Sequence, residues 1–255
     1  MGKVYIVGAG PGDPELITVK GLKAIQKSDV ILYDRLVNED LLNEAPAHCE
    51  KIYCGKKPDH HTLRQETINH LLCKYASQGK IVTRLKGGDP FIFGRGGEEA
   101  SALRAQNIVF EIIPGITSGA AAPAYSGIPL THRGISSSVT FVSGVQPQQD
   151  NVSYWEQLAK NVDTLCIYMG VKKLPNICDS LIRGGCDPNT PIALIHWGTT
   201  ARQNTVTGTL LNIVEKASEI SNPAMIVIGK VVSLREELSW FEELGASHNP
   251  SSLAI

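Results

Sequence analysis

The sequence has no long apolar run, and this absence excludes a membrane-spanning helix. Its longest uncharged stretches, such as residues 112–132, are interrupted by glycine and proline. The first residues lead directly into VYIVGAG, without an apolar signal core followed by a small-residue cleavage site. We therefore expect a cytoplasmic protein that has no membrane partner.

Cysteine pairs at metal-binding spacing are also missing. None of the six cysteines forms a C-x-x-C pair with another, which argues against a zinc site or a redox motif and favours free buried thiols. The adjacent His60 and His61 lack a partner at i+4 on a helix, so they do not indicate a metal site. We expect a protein without a bound metal.

Charge of either sign is not in excess. The net charge is −1 at pH 7, which argues against general affinity for nucleic acid or for an anionic membrane. A hydrophobic fraction of 42% with 19% charged residues is typical of a soluble globular protein. An anionic ligand would therefore need a local cluster of cations.

The order of apolar runs predicts an α/β fold with largely parallel sheets. Strand-like runs alternate with helical patterns in the first half, from KVYIVGAG through DVILYD, KIYCG and KIVTRLKGGD to VFEIIPG. The small-residue segment 115–127 interrupts this alternation, and SVTFVSG, TLCIYMG, PIALIHWG and PAMIVIGKVV follow as new strands. We predict two α/β domains, residues 1–115 and 116–243, and a flexible tail at 244–255.

The most informative segment is RLKGGDPFIFGRGGEE, Arg84 to Glu99. Its five glycines and one proline predict a shaped loop that presents backbone N–H groups, Asp89 and Arg95 to a ligand. The glycines of GAGPG, which follow the first strand, suggest a dinucleotide-binding turn instead. That pattern needs a third glycine where the chain has Asp13, and Pro11 removes an N–H group that would face a pyrophosphate.

Together these segments resemble the signatures of the uroporphyrinogen-III C-methyltransferases, a group within the tetrapyrrole methylase family. The resemblance extends over GAGPGDPELIT, YDRLV, CGKK and PGITSGAAAPAYSGIPLTHR, and it is thinner over YMG and HWGTTARQ. It implies methylation of uroporphyrinogen III by S-adenosylmethionine at C2 and C7, giving precorrin-2 through precorrin-1 on the path to sirohaem and cobalamin. S-adenosylhomocysteine would be the second product.

The resemblance also implies a homodimer, an active site in the cleft between the two domains, and roles for individual residues. Asp34 matches the proton acceptor and Lys56 the proton donor. The cofactor-binding positions are Pro11, Gly87, Gly88, Asp89, Ile92, Thr117, Ser118, Met169 and Gly198. The substrate-binding candidates are Arg35, Arg84, Arg95 and Arg133, because guanidinium groups bind carboxylates bidentately and the substrate carries eight.

Other interpretations stay open at this point. Asp34 could cap the following turn or pair with Arg35, and Thr117 and Ser118 could cap a helix. A methylase of a later corrin precursor shares the fold and the cofactor. A nicotinamide-dependent oxidoreductase or a non-catalytic binding protein would belong to other classes.

Overall fold

The computed structural model describes residues 2–55, 65–145 and 152–242. The chain divides into two compact units, Met1–Thr117 and Ser118–Ile255. Lys56, His60, His61 and the predicted tail at 244–255 lie outside the described residues.

A five-stranded parallel sheet forms the centre of the first unit. Its strands are β1 (Lys3–Gly8), β2 (Val30–Tyr33), β3 (Glu50–Tyr53), β4 (Ile81–Lys86) and β5 (Val109–Ile113). Their order is β3-β2-β4-β1-β5, and every pairing is parallel. Parallel neighbours need long crossover connections, which here contain α1 (Val19–Ile25), α2 (Gln65–Ser77) and α3 (Gly96–Ala105). The parallel sheet predicted for the first half is confirmed.

Both faces of this sheet are covered, which explains why its strands are nearly continuous apolar runs. One face packs Val7, Ile31 and Leu85 against α1. The other face packs Val82 and its neighbours against α2 and α3 through residues such as Leu103. Two hydrophobic cores, one on each face of the sheet, therefore fix the strands from whose carboxyl ends the loops begin.

The second unit contains a further five-stranded sheet. Its helices are α4 (Ser118–Tyr125), α5 (Val152–Asn161), α6 (Leu174–Arg183), α7 (Ile213–Lys216) and α8 (Arg235–Leu238). Its strands are β6 (Val139–Ser143), β7 (Thr164–Tyr168), β8 (Pro191–His196), β9 (Asn204–Thr209) and β10 (Ala224–Ile228), in the order β6-β7-β10-β8-β9. Two α/β units with separate sheets confirm the predicted fold class.

The expectation of a largely parallel sheet is wrong for this second unit. Only β6 and β7 pair in parallel, whereas β10 is antiparallel to both β7 and β8, and β9 is antiparallel to β8. The connection 197–203 between β8 and β9 is too short for a crossover helix, so the two strands form an antiparallel pair. The polar sequence of β9, NTVTGT, has no apolar run, and we did not predict this strand.

Within the parts of the chain that the structure describes, no helix has both the length and the apolar character needed to cross a bilayer.

Candidate functional site

The family-like segments of the first unit each follow a strand of the first sheet. Because the five strands are parallel, their carboxyl ends lie at one edge, where ligands of open α/β sheets bind. We call this edge the carboxyl edge. It carries these predicted site residues: Pro11 after β1, Asp34 and Arg35 after β2, Gly87, Gly88, Asp89 and Ile92 after β4, and Thr117 after β5.

Backbone contacts between glycines hold three of these loops together. Gly10 and Gly88 form an isolated antiparallel bridge, in which the Gly88 N–H donates to the Gly10 carbonyl at 2.6 Å. A Cβ atom on Gly8 would lie 2.5 Å from the nitrogen of Gly115 and 2.6 Å from the Gly88 carbonyl oxygen. Side chains at these positions would separate the loops, so close packing requires glycine here.

Asp89 ties the loop after β4 to the loop after β5. Its Oδ1 accepts a hydrogen bond from the N–H of Phe91 at 2.8 Å, and its Oδ2 accepts one from the N–H of Gly115 at 3.1 Å. The first bond forms an Asx turn within the loop. The second joins segments 26 residues apart, so Asp89 fixes the shape of the carboxyl edge.

The loop from Gly87 to Arg95 has an unusual backbone. Phe93 and Arg95 have φ angles of 52° and 58°, which side-chain-bearing residues rarely adopt. Phe91 and Phe93 are exposed, and Ile92 between them is half-buried. Strained backbone of this kind is concentrated at ligand sites, which makes the loop a candidate binding element.

Arg95 is exposed but already paired. Its guanidinium donates two hydrogen bonds to the carboxylate of Glu98, at 2.8 and 2.7 Å. The hydrogen bonding of Arg95 to the Glu98 carboxylate is the main reason that the pKa of Arg95 lies above its usual value. A substrate carboxylate would have to compete with Glu98 for this side chain.

Asp34 is half-buried and has contacts that fit either of its interpretations. Its Oδ1 accepts a hydrogen bond from the N–H of Leu36 at 3.0 Å, which is a turn cap. Its Oδ2 faces the N–H of Gly87 at 3.4 Å and the Nη2 of Arg84 at 3.8 Å. The capping contact is therefore present, while the second oxygen points toward the glycine-rich loop.

Arg84, one of the predicted substrate-binding residues, is buried. It is 3% exposed, and its guanidinium donates to the carboxylate of Glu99 and to the carbonyls of Leu32 and Leu85. The alternation of β4 turns Arg84 and Lys86 toward α3, where Glu99 lies in the first helical turn. This burial argues against direct contact between Arg84 and a substrate.

Lys86 and Glu99 are buried charged residues that sequence reasoning missed. Glu99 is fully buried, and its Oε1 accepts hydrogen bonds from Arg84, Lys86 and Gln65 at 3.0, 3.0 and 3.2 Å. Burial, followed by the neighbouring Arg84, lowers the pKa of Lys86. Arg84 and Lys86 lie two residues apart in a buried strand, so their side chains share one face. Two buried cations need a carboxylate nearby, and this pattern could have indicated one.

In the second unit, the predicted residues Ser118, Met169 and Gly198 also lie at one edge of a sheet. Met169 follows β7 with a φ of 56° and is exposed. Gly198 follows β8 and packs on α4, because a Cβ atom there would lie 2.5 Å from the Cβ of Ala122. The N–H of Gly119 donates to the Tyr168 hydroxyl at 2.9 Å, which places the start of α4, and hence Ser118, beside the end of β7.

The segment around Gly198 has strained backbone and a polar side-chain atom that is buried away from water. Trp197 and Thr199 have φ angles of 47° and 69°. The Nε2 of His196 is buried and has no hydrogen-bond partner among the described residues. Burial lowers the pKa of His196, and the charge of Arg202 lowers it further. Both effects favour the neutral form of the His196 imidazole.

Arg133 lies in the second unit at an exposed turn. Residues 131–137 and Asp163 line a shallow cavity of about 590 Å³ there. Hydrogen bonds from the backbone and side chain of Ser137, and from Ser138, hold the pKa of Asp163 below its usual value. Arg133 therefore shares its surroundings with a carboxylate that stays ionised.

No group of three or more His, Cys, Asp or Glu side chains within residues 2–55, 65–145 and 152–242 is arranged to hold a metal ion.

A parallel sheet with glycine-rich turns gathered at its carboxyl edge is typical of α/β proteins that bind a small ligand at that edge. The chain belongs to the tetrapyrrole methylase family. Residues 3–214 match the family described as Tetrapyrrole (Corrin/Porphyrin) Methylases.

Individual relatives are similar over nearly the whole chain. A Priestia megaterium protein named uroporphyrinogen-III C-methyltransferase is 64% identical over 236 residues, which are 91% of this chain and 99% of the relative. A Thermus thermophilus uroporphyrin-III C-methyl transferase, solved in complex with S-adenyl homocysteine, is 40% identical with a TM-score of 0.78 and covers 91% of this chain and 99% of its own. A cobalt precorrin-4 methyltransferase, a cobalamin biosynthetic enzyme, is 28% identical with a TM-score of 0.79 and covers 90% of this chain and 95% of its own.

Proposed function

We propose that the chain is an S-adenosylmethionine-dependent methyltransferase that methylates uroporphyrinogen III at C2 and C7, giving precorrin-2 through precorrin-1. The observation that carries this proposal is the gathering of the family-like segments of the first unit at the carboxyl edge of its parallel sheet. High identity to a relative of that name over almost its full length supports the same substrate.

The carboxyl edge fits a cofactor that has an aromatic base and carries no phosphate. Leu36, Phe91, Phe93 and Ile116 are exposed apolar side chains in loops at this edge. Such surface, beside a few polar groups and close-packed glycines, is typical of a small-molecule site. The cofactor supplies a methyl group on a positively charged sulfur, and S-adenosylhomocysteine leaves as the product.

The assignment of the cofactor-binding residues rests on the family resemblance. In the first unit they are Pro11, Gly87, Gly88, Asp89, Ile92 and Thr117. In the second unit they are Ser118, Met169 and Gly198. In the first unit, Asp89 holds the loops after β4 and β5 together, because both of its carboxylate oxygens accept hydrogen bonds from backbone N–H groups.

Asp34 is the proposed proton acceptor. Methylation of a pyrrole carbon leaves the tetrapyrrole ring positively charged, and a proton must then be lost to restore neutrality. A half-buried carboxylate at the carboxyl edge can stabilise that charge and take up the proton. Lys56, the proposed proton donor, keeps its role by resemblance alone.

The exposed arginines are the proposed contacts for the substrate carboxylates. Arg35, Arg95 and Arg133 are exposed, although Arg95 must be shared with Glu98. Arg84 is buried, so we propose that it acts on Asp34 and not on the substrate.

A nicotinamide site is disfavoured by the hydrogen bonds of the turn after β1. The N–H of Ala9 donates to the Lys86 carbonyl at 2.7 Å, the N–H of Gly10 donates to the Gly88 carbonyl at 3.3 Å, and Pro11 has no N–H. Three consecutive residues therefore offer no donor to a pyrophosphate. A methylase of a later corrin precursor remains the second candidate, since the cobalt precorrin-4 methyltransferase shares the fold.

The test uses the purified protein with uroporphyrinogen III and S-adenosylmethionine. We expect a dimethylated product, a rate that chelators leave unchanged, and calorimetric binding of S-adenosylmethionine but not of NAD. Methylation of a later corrin precursor alone would favour the second candidate, and absence of transfer to any tetrapyrrole would contradict both.

We also propose a homodimer, by resemblance to the family, and a cytoplasmic location. Sedimentation at micromolar concentration should give twice the mass of one chain, and a monomer would contradict the dimer. Cell fractionation should recover the activity in the cytoplasmic fraction.

A further inference from the structure

Glu99 is a fully buried carboxylate whose two oxygens have unequal surroundings. Oε1 accepts hydrogen bonds from Arg84, Lys86 and Gln65. Oε2 has no partner among the described residues. A buried carboxylate is costly unless it is paired, so this arrangement persists because two cations converge on one oxygen.

Arg84 connects Glu99 to Asp34. Its Nε donates to Glu99 at 3.0 Å, and its Nη1 donates to two backbone carbonyls at 3.3 and 3.1 Å. Its Nη2 stays 3.8 Å from the Oδ2 of Asp34. A direct charge-assisted bond would measure about 2.7–2.9 Å, so these fixed partners hold the guanidinium short of a close pair with Asp34.

We propose that Glu99 is a positioning residue for Asp34, which restrains the guanidinium of Arg84 and so leaves the Asp34 carboxylate free to accept a proton. This inference rests on the role of Asp34 in the proposed function. A close bidentate pair with Arg84 would stabilise the ionised carboxylate and make it a weaker base. Glu99 prevents that pairing by competing for the same guanidinium.

The charges of the cluster support this role. With every group ionised, Arg84 and Lys86 balance Asp34 and Glu99. If Glu99 lost its charge, Asp34 would be the remaining nearby counter-charge for the two cations. The guanidinium of Arg84 would then be drawn toward Asp34. Other titratable groups around the cluster within the described residues include Cys54 after β3, Glu66 on α2, and Arg95 and Glu98 at the start of α3.

The first test is Glu99→Gln, which keeps the shape of the side chain and removes its charge. The measurement uses substrate-free protein whose aspartates carry a labelled carboxyl carbon, and the Asp34 signal is assigned by comparison with Asp34→Asn. The titration midpoint of Asp34 should lie about one pH unit lower in Glu99→Gln than in the wild type. The methyl-transfer kcat should fall about 10-fold, with its acidic limb displaced to lower pH, while KM for S-adenosylmethionine stays within about 2-fold.

The matched control is Glu111→Gln, which removes an ion-paired carboxylate elsewhere in the same unit. It should alter stability but leave the Asp34 titration and the acidic limb of kcat unchanged. If Glu99→Gln lowers only the melting temperature, as this control does, Glu99 is a structural residue and the inference is wrong.

A second variant covers the case in which Glu99→Gln does not fold. Glu99→Gln combined with Lys86→Met removes one charge of each sign, so the buried cluster stays balanced by Arg84 and Asp34. The Asp34 titration should again move to lower pH, and an unchanged titration in this folded variant would overturn the inference. If the wild type transfers no methyl group, the proposed function fails, whereas the Asp34 titration still decides whether Glu99 restrains Arg84.

Discussion

Gly10 and Gly88 exchange backbone hydrogen bonds across two loops that lie 78 residues apart in the sequence. Both have positive φ angles, 80° and 70°, which glycine adopts without strain. The bridge joins the turn after β1 to the loop after β4, so the two glycine-rich segments form one continuous surface at the carboxyl edge.

Gly88→Val should weaken S-adenosylmethionine binding by about 10-fold or more while the protein still folds, because a branched side chain disfavours the positive φ that the bridge requires. Gly79→Val is the matched control. Gly79 has a φ of 85° and open space around it, so it carries the same backbone strain away from the loops. Calorimetry of both variants checks the prediction, and equal affinities would place the cofactor elsewhere.

Asp89→Ala should also weaken cofactor binding, because it removes the acceptor that joins the loops after β4 and β5. The lost hydrogen bond from Gly115 contributes about 1 kcal/mol, so we expect an affinity loss of up to about 10-fold. Asp89→Asn keeps one acceptor oxygen and should retain more of the affinity. Cooperative melting with normal binding in Asp89→Ala would show that the loops keep their shape without this residue.

Asp34→Asn should lower the methyl-transfer rate by roughly 100-fold or more, the usual scale for loss of a general base, with cofactor affinity within a few-fold. Asparagine keeps the acceptor for the Leu36 N–H, so a purely capping role would survive the change. Asp40→Asn, at an exposed position of the next turn, is the control. Near-normal turnover would refute the catalytic role, and loss of cofactor binding would move Asp34 to the binding site.

Gly198→Ala should destabilise the second unit by about 1–3 kcal/mol, because the added methyl group overlaps the Cβ of Ala122. Ala122→Gly removes the opposing Cβ, so the double variant should be more stable than Gly198→Ala alone. Denaturant unfolding of the three variants measures this coupling. If the two changes are simply additive, the contact is not responsible.

Glu111→Gln should be less stable than the wild type at neutral pH by up to about 1 kcal/mol, the range of partly exposed ion pairs. Hydrogen bonds from Lys20 and Lys3 hold the pKa of Glu111 at about 2, below its ordinary 4.5. A lowered pKa in the folded state stabilises the protein above pH 4.5, and this stabilisation is lost as the pH falls through about 2. The difference in unfolding free energy between Glu111→Gln and the wild type should therefore disappear as the pH falls from 7 to 2. A constant difference would contradict the assignment.

The sequence by itself was sufficient to predict the parallel sheet of the first unit and the positions of its loops. Runs such as VYIVG and VILY are apolar on both faces, which a covered parallel sheet accommodates, and each ends where glycine or aspartate begins a loop. Parallel strands place such loops at one edge whatever their order in the sheet. Local composition therefore predicted which segments meet there, while the roles of their residues stay predictions.

Only the tertiary structure decided which strands pair in the second unit and which charges are buried. The sequence of β10 is the same whether its neighbours run with it or against it, and its place between β7 and β8 depends on connections far along the chain. Likewise, Arg84 and Arg95 are both arginines of one segment, but Arg84 is buried against Glu99 while Arg95 is exposed and paired with Glu98. The burial of a charged residue depends on the partner that folding brings to it, and for Arg84 that partner lies on the next helix.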